Sequence, residues 1–94
     1  MKHSENNERE ALIKALLSLG NEEECINFLE DLCTFKELDS MAQRFWVARL
    51  LKEGKTFQEI VVKTGASTAT ISRVNRCLLY GNGGYENIIK KINC

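Results

Sequence analysis

Proline is absent from the 94 residues of this chain, and histidine occurs once, at position 3. No two of the four cysteines have the C-x-x-C spacing, so no set of side chains is typical of a structural metal site. A Ser/His/Asp set, a phosphate-binding loop and a paired-carboxylate cleft are missing as well. The sequence therefore predicts a protein that is not an enzyme and holds no metal or cofactor.

Long apolar runs are also missing. No run approaches the ~20 residues that cross a membrane. The polar start, MKHSENNERE, lacks the apolar stretch of a signal peptide. We expect a soluble, cytoplasmic protein without a membrane partner.

Charge of one sign is not in excess, because 13 basic residues balance 13 acidic ones. The two signs are nevertheless separated along the chain. Residues 1–43 hold 4 Lys/Arg and 10 Asp/Glu, a net charge of −6, whereas residues 44–94 hold 9 and 3, a net charge of +6. A basic half suits a surface that faces phosphates; a chance dipole on a solvated surface is the alternative.

Strand-like alternation is absent, and apolar residues recur at helical spacing. The pattern predicts one all-α domain over residues 1–94. Its first helix is expected to end with Gly20 as a C-terminal glycine, and Thr34/Glu37 and Thr56/Glu59 form capping boxes. Six helices are predicted: Asn7–Leu19, one capped by Asn21, Phe35–Glu53, Phe57–Thr64, Thr68–Tyr80 with Ser67 as its cap, and Tyr85–Ile92.

The fourth and fifth predicted helices meet at a short turn with Gly65, which is the form of a helix-turn-helix over about residues 56–80. We expect the two helices to pack through four small or apolar residues: Ile60, Ala66, Ile71 and Val74. The opposite face of the fifth helix has no acidic residue and presents Ala69, Arg73, Arg76 and Tyr80. Arginines at that spacing suit guanine or phosphate in a major groove, although a solvated helical hairpin would look similar.

These patterns predict a set of DNA contacts from both helices. The predicted contacts are Thr56, Gln58, Lys63, Ser67, Thr68, Ala69, Thr70, Ser72, Arg73 and Arg76. For the first three of these, a plain solvent-facing surface is the alternative.

A family resemblance follows from the same segment. Gly65-Ala66-Ser67-x-Ala69-Thr70-Ile71-Ser72-Arg73 resembles the Trp repressor motif G-A-G-x-A-T-I-T-R. The similarity extends upstream through Leu32-Cys33-Thr34-x-x-Glu37 and Arg44…Leu50-Leu51-x-x-Gly54, and it is nearest to the Trp-repressor-like YerC/YecD group. The resemblance implies a six-helix subunit and an intertwined homodimer that presents two helix-turn-helix units to successive major grooves.

In that family two arginines enclose L-tryptophan. Arg73 matches one of them, and Arg44 matches the other if the loop near Lys55 is one residue shorter here. Val74 stands where the family has a glycine that leaves room for the ligand, and Cys77 replaces a serine that meets its amino group. The candidate effector pocket is therefore Arg44, Arg73, Val74 and Cys77, and we hypothesise that the protein binds DNA without L-tryptophan or responds to another ligand.

The resemblance makes a sequence-specific DNA-binding transcriptional regulator, a repressor, the favoured function. A helical dimeric protein-interaction module that has kept the fold without binding DNA is the alternative. In either case we expect Phe45 and Trp46 in the core or at the dimer interface.

Overall fold

The structure, a computed structural model, describes residues 3–93, with the backbone alone for residues 3–6. Over this range it contains six α-helices and no strand, which confirms the predicted fold class. The helices are α1 His3–Leu17, α2 Glu22–Leu32, α3 Phe35–Lys52, α4 Phe57–Thr64, α5 Thr68–Tyr80 and α6 Gly84–Ile92. Among the described residues no helix is long and apolar enough to cross a membrane.

The prediction for Gly20 is wrong. α1 ends at Leu17, and Gly20 does not have the positive φ of a C-terminal glycine. The Gly20 N–H instead donates to the Glu24 carboxylate at 2.8 Å, while the Asn21 side chain accepts from the Glu24 N–H at 2.8 Å. Gly20 thus belongs to the start of α2, because a glutamate in the first turn of that helix reaches back to its backbone.

The chain divides into two compact units, one up to Leu38 and the other from Asp39 onward. In the first unit none of residues 7–38 is buried. Four large apolar side chains of α1 are exposed: Leu12, Ile13, Leu16 and Leu17. Helices of this length are not stable alone in water, so burial of this apolar face would stabilise α1.

The second unit has the apolar core. Its buried members are Val47, Ala48, Leu50, Ile60, Ala66, Ile71, Val74 and Ile89. The four residues predicted to join α4 and α5 are all among them, which confirms that expectation. Phe45 packs against this core and lies 6.5 Å from Tyr85, measured between ring centroids.

Trp46 lies outside this core, so of its two expected places, the core or the dimer interface, the core is excluded. Its side chain is 51% exposed, with the Arg49 guanidinium 5.0 Å from the ring centroid. The reason is its position on α3, where Val47 and Leu50 occupy the inward side. A place for Trp46 at a dimer interface stays a prediction. The single domain expected over residues 1–94 stays a prediction as well.

Polar contacts join α3 to α6 within the second unit. Lys52 Nζ lies 2.7 Å from Glu86 Oε1, and the Arg49 guanidinium donates to the Asn93 side chain at 3.2 Å. The hydrogen bond from Lys52 lowers the pKa of Glu86 below its ordinary value, and the charges of Lys52 and Lys90 lower it further. Both groups are partly exposed, so this pair orients the helices and adds little to stability.

Candidate nucleic-acid interface

The helix-turn-helix is held by local hydrogen bonds that the sequence predicted. Thr56 Oγ1 accepts from the Glu59 N–H at 3.1 Å, and the Thr56 N–H donates to the Glu59 carboxylate at 2.9 Å. Gly65 has φ +72° and donates its N–H to the Val61 carbonyl at 2.9 Å. Ser67 Oγ then accepts from the Thr70 N–H at 3.1 Å and starts α5. The capping box, the glycine turn and the second cap are therefore all confirmed.

The inner side of α5 is sealed against the core. Ile71 is 0% exposed and Val74 is 1% exposed. Both pack in the same cluster as Ile60 and Ala66, which precede them in α4 and the turn. Because this side is fixed, the opposite side of α5 is the one that faces solvent.

The outer side of α5 is polar, basic and open. Arg73 and Arg76 are both exposed, and neither guanidinium is in an ion pair with a described carboxylate. The remaining predicted contacts on this side are exposed apart from Thr70, which is half-buried: Ser67, Thr68, Ala69 and Ser72. The structure thus places these predicted contacts on one surface, while their part in DNA binding stays a prediction.

The N-terminus of α5 differs from those of the three helices before it. In α2, α3 and α4 a glutamate of the first turn (Glu24, Glu37 or Glu59) accepts a backbone N–H that precedes the helix. α5 has Thr70 at that place and no acidic residue in its first turn. The positive end of its dipole is therefore not offset by a carboxylate of its own, which favours approach by phosphate or by base acceptors.

The exposed side of α4 holds the other three predicted contacts. Thr56, Gln58 and Lys63 line a shallow depression of about 400 Å³ together with Glu59 and Val62. Both the N–H and the hydroxyl of Thr56 are engaged by the Glu59 carboxylate, so a phosphate contact by the hydroxyl would replace its bond to Glu59.

Glu59 is part of this surface and is charged. Hydrogen bonds from the backbone and side chain of Thr56 lower its pKa, with Lys55 and Lys63 contributing. Because these interactions lower the pKa of Glu59 in the folded state, they stabilise the folded protein at neutral pH. This stabilisation of the fold is lost as the pH falls through the lowered pKa and the carboxylate is protonated. A carboxylate this close to Lys63 reduces the local positive charge. Contacts from α4 to DNA phosphates are therefore better suited to positioning the protein on the duplex than to attracting the duplex strongly.

The four residues of the candidate effector pocket come together around one cavity of about 330 Å³. Its full lining is Ser40, Arg44, Thr70, Arg73, Val74, Cys77 and Tyr85. Arg44 Nη1 donates to Ser40 Oγ at 3.1 Å. Sequence reasoning missed Ser40, although its place one turn before Arg44 on α3 was a usable signal. It also missed Tyr85, because no pattern near this residue in the sequence indicates that α6 packs beside the cavity.

Comparisons with known proteins agree with this geometry. The family model described as Trp repressor protein matches residues 7–93. The uncharacterized protein YerC of Bacillus subtilis (strain 168) is 53% identical over 85 residues, which cover 90% of this chain and 82% of that protein. This degree of identity over most of both chains shows common descent and a shared fold.

Solved structures show the same similarity in three dimensions. A TrpR-like protein from Eubacterium eligens ATCC 27750 is 51% identical, with a TM-score of 0.87 and coverage of 89% of this chain and 87% of that one. A candidate Trp repressor from Staphylococcus aureus is 43% identical, with a TM-score of 0.90 and coverage of 99% and 96%. This fold and family are those of regulatory DNA-binding proteins and not of an enzyme family. The chain belongs to the Trp repressor family.

Proposed function

We propose that this protein is a sequence-specific DNA-binding transcriptional regulator, a repressor that acts in the cytoplasm and reads the major groove with α5. The observation that carries the proposal is the outer side of α5. There, Arg73 and Arg76 are exposed without a carboxylate partner, on a helix whose first turn is free of acidic residues. An arginine fork in the major groove suits the two acceptors of guanine.

The other predicted contacts have roles that follow from their chemistry. Ala69 is small and lets the backbone of α5 approach the base edges, while the hydroxyls near it reach bases or phosphates. On α4, Lys63 and the hydroxyl of Thr56 meet the backbone phosphates, as does Gln58. The hydroxyl-bearing residues of α5 in this set are Ser67, Thr68, Thr70 and Ser72.

We further propose an intertwined homodimer. The support is the first unit, in which none of residues 7–38 is buried and Leu17 is 81% exposed. A second copy with the same apolar face would cover it, as isologous interfaces do. A twofold assembly would present two α5 helices to half-sites about one helical turn apart.

Selection of bound duplexes from a random pool tests the function. We expect a twofold-symmetric sequence, and an affinity that falls steeply with salt, with a log–log slope of about −0.9 for each phosphate neutralised. Titration of the selected duplex at several salt concentrations measures the slope. Absence of any enriched sequence, together with salt-independent binding of a protein partner, would favour the interaction module instead.

The cavity beside Arg73 supports a further component of the proposal, a small anionic effector other than L-tryptophan. Arg44 and Arg73 both line it, and no carboxylate does. Guanidinium groups bind carboxylate or phosphate through paired hydrogen bonds. At the position where the family has a serine for the amino group of its ligand, this chain has Cys77, whose thiol is a weak acceptor.

For L-tryptophan we expect no binding at micromolar concentration, because Val74 stands where the family has a glycine that leaves room for the ligand and Cys77 is a poor partner for an amino group. Isothermal calorimetry measures this directly. The selected duplex, titrated with and without L-tryptophan, should show the same affinity. A micromolar dissociation constant, or an affinity for DNA that rises with L-tryptophan, would contradict this expectation.

A further inference from the structure

The end of α4 is held by a side chain that none of the predicted contacts includes. Thr64, the last residue of α4, donates its hydroxyl hydrogen to the Ile60 carbonyl at 2.7 Å. The same hydroxyl oxygen accepts the N–H of Ala66 at 3.0 Å. Ala66 is 2% exposed, so this backbone N–H is shielded from water. One hydroxyl therefore links the last turn of α4 to the residue that leads into α5.

A second side chain reaches the same point from α3. Gln43 Nε2 donates to the Thr64 carbonyl at 3.2 Å, across 21 residues of sequence. The last carbonyls of a helix have no partner inside it, and this bond satisfies one of them. Both residues are half-buried. We call Gln43, Thr64 and the Ala66 N–H together the turn clamp.

We propose that Gln43 and Thr64 are positioning residues for DNA reading: they fix the turn so that α5 meets the bases in one orientation. The inference rests on the proposed DNA-binding function. Ser67, the cap of α5, follows Thr64 by only three residues, so a shift in the turn moves the first residues of α5 directly. Gly65 has no side chain and holds the turn only through its N–H bond to the Val61 carbonyl, so the side-chain hydrogen bonds at this point come from Thr64 and Gln43.

Base reading and phosphate binding depend differently on this orientation. Base-edge hydrogen bonds need donors and acceptors aligned to a fraction of an ångström, whereas charge attraction to phosphates tolerates small shifts. Loss of the clamp should therefore reduce affinity for the selected duplex and leave affinity for random duplex almost unchanged.

The test compares Thr64→Val, which keeps the shape and removes the hydroxyl, with Thr64→Ser, which keeps the hydroxyl. We expect Thr64→Val to lower the ratio of specific to random-duplex affinity roughly tenfold, the equivalent of one well-made base contact, and Thr64→Ser to retain it. Gln43→Met is a second, milder variant with the same expected direction. Amide hydrogen exchange of the DNA-free protein should show that the Ala66 N–H loses protection in Thr64→Val, which lacks the acceptor hydroxyl, and keeps it in Thr64→Ser and Gln43→Met.

The two readouts separate the possible failures. Unchanged protection at Ala66 in Thr64→Val, or lost protection with an unchanged affinity ratio in both Thr64→Val and Gln43→Met, would overturn the positioning role. If Thr64→Val does not fold, the affinity ratio of Gln43→Met decides alone. A wild-type protein with no preference between duplexes would overturn the proposed function and this role with it, and exchange at Ala66 would still report the hydrogen bond.

Discussion

Replacing Arg73 and Arg76 together with alanine is expected to weaken binding of the selected duplex by roughly 100-fold or more, because each arginine contact to a base is worth about 1–3 kcal/mol. Both side chains are exposed and outside any ion pair with a described carboxylate. The free energy of unfolding should therefore stay within about 0.5 kcal/mol of the wild-type value. The effect is thus expected in binding and not in stability.

Fluorescence anisotropy with the selected and a random duplex measures both affinities, and thermal unfolding measures the stability. Lys91→Ala is the matched control, because it removes one exposed positive charge from α6 instead of α5. We expect this control to bind the selected duplex nearly as the wild type does. If Lys91→Ala and the double arginine variant lost the same affinity for each charge removed, only net charge would matter and α5 would read no bases.

Placing glutamates at Ile13 and Leu16 is expected to break the dimer and to lower operator affinity by about 100-fold or more, because the linked second half-site is lost. Ile13 and Leu16 are exposed on the apolar face of α1. In the proposed homodimer a partner copy covers that face, so charges there would be buried without a partner. Obligate dimers often have no stable folded monomer, so we also expect a lower helix content.

Sedimentation equilibrium gives the mass in solution, and far-ultraviolet circular dichroism gives the helix content. Lys14→Glu is the control: it adds a carboxylate to the same helix at an exposed position away from the apolar stripe. This control should remain dimeric and bind the selected duplex. A monomeric wild-type protein, or a double variant that stays dimeric, would contradict the homodimer proposal.

Local features were predictable from the sequence because their causes lie within a few residues. The helix-turn-helix is the clearest case: α4 and α5 have their predicted bounds, and the caps at Thr56 and Ser67 make the expected hydrogen bonds. The prediction for Gly20 failed for a related reason. Two local patterns were possible at Gly20: a C-terminal glycine that ends α1, or a backbone N–H that Glu24 binds at the start of α2. The structure has the second.

The separation of charge, the helical period, the capping boxes and the two-sided character of α5 were determined by the sequence alone, since a helix repeats every ~3.6 residues whatever surrounds it. Only the tertiary structure decided what meets across long separations. It placed Tyr85 in the cavity with Arg44 and Arg73, joined Gln43 to Thr64, and left Trp46 outside the core. Such contacts depend on how helices pack on one another, and packing is a property of all the side chains together that no single segment encodes.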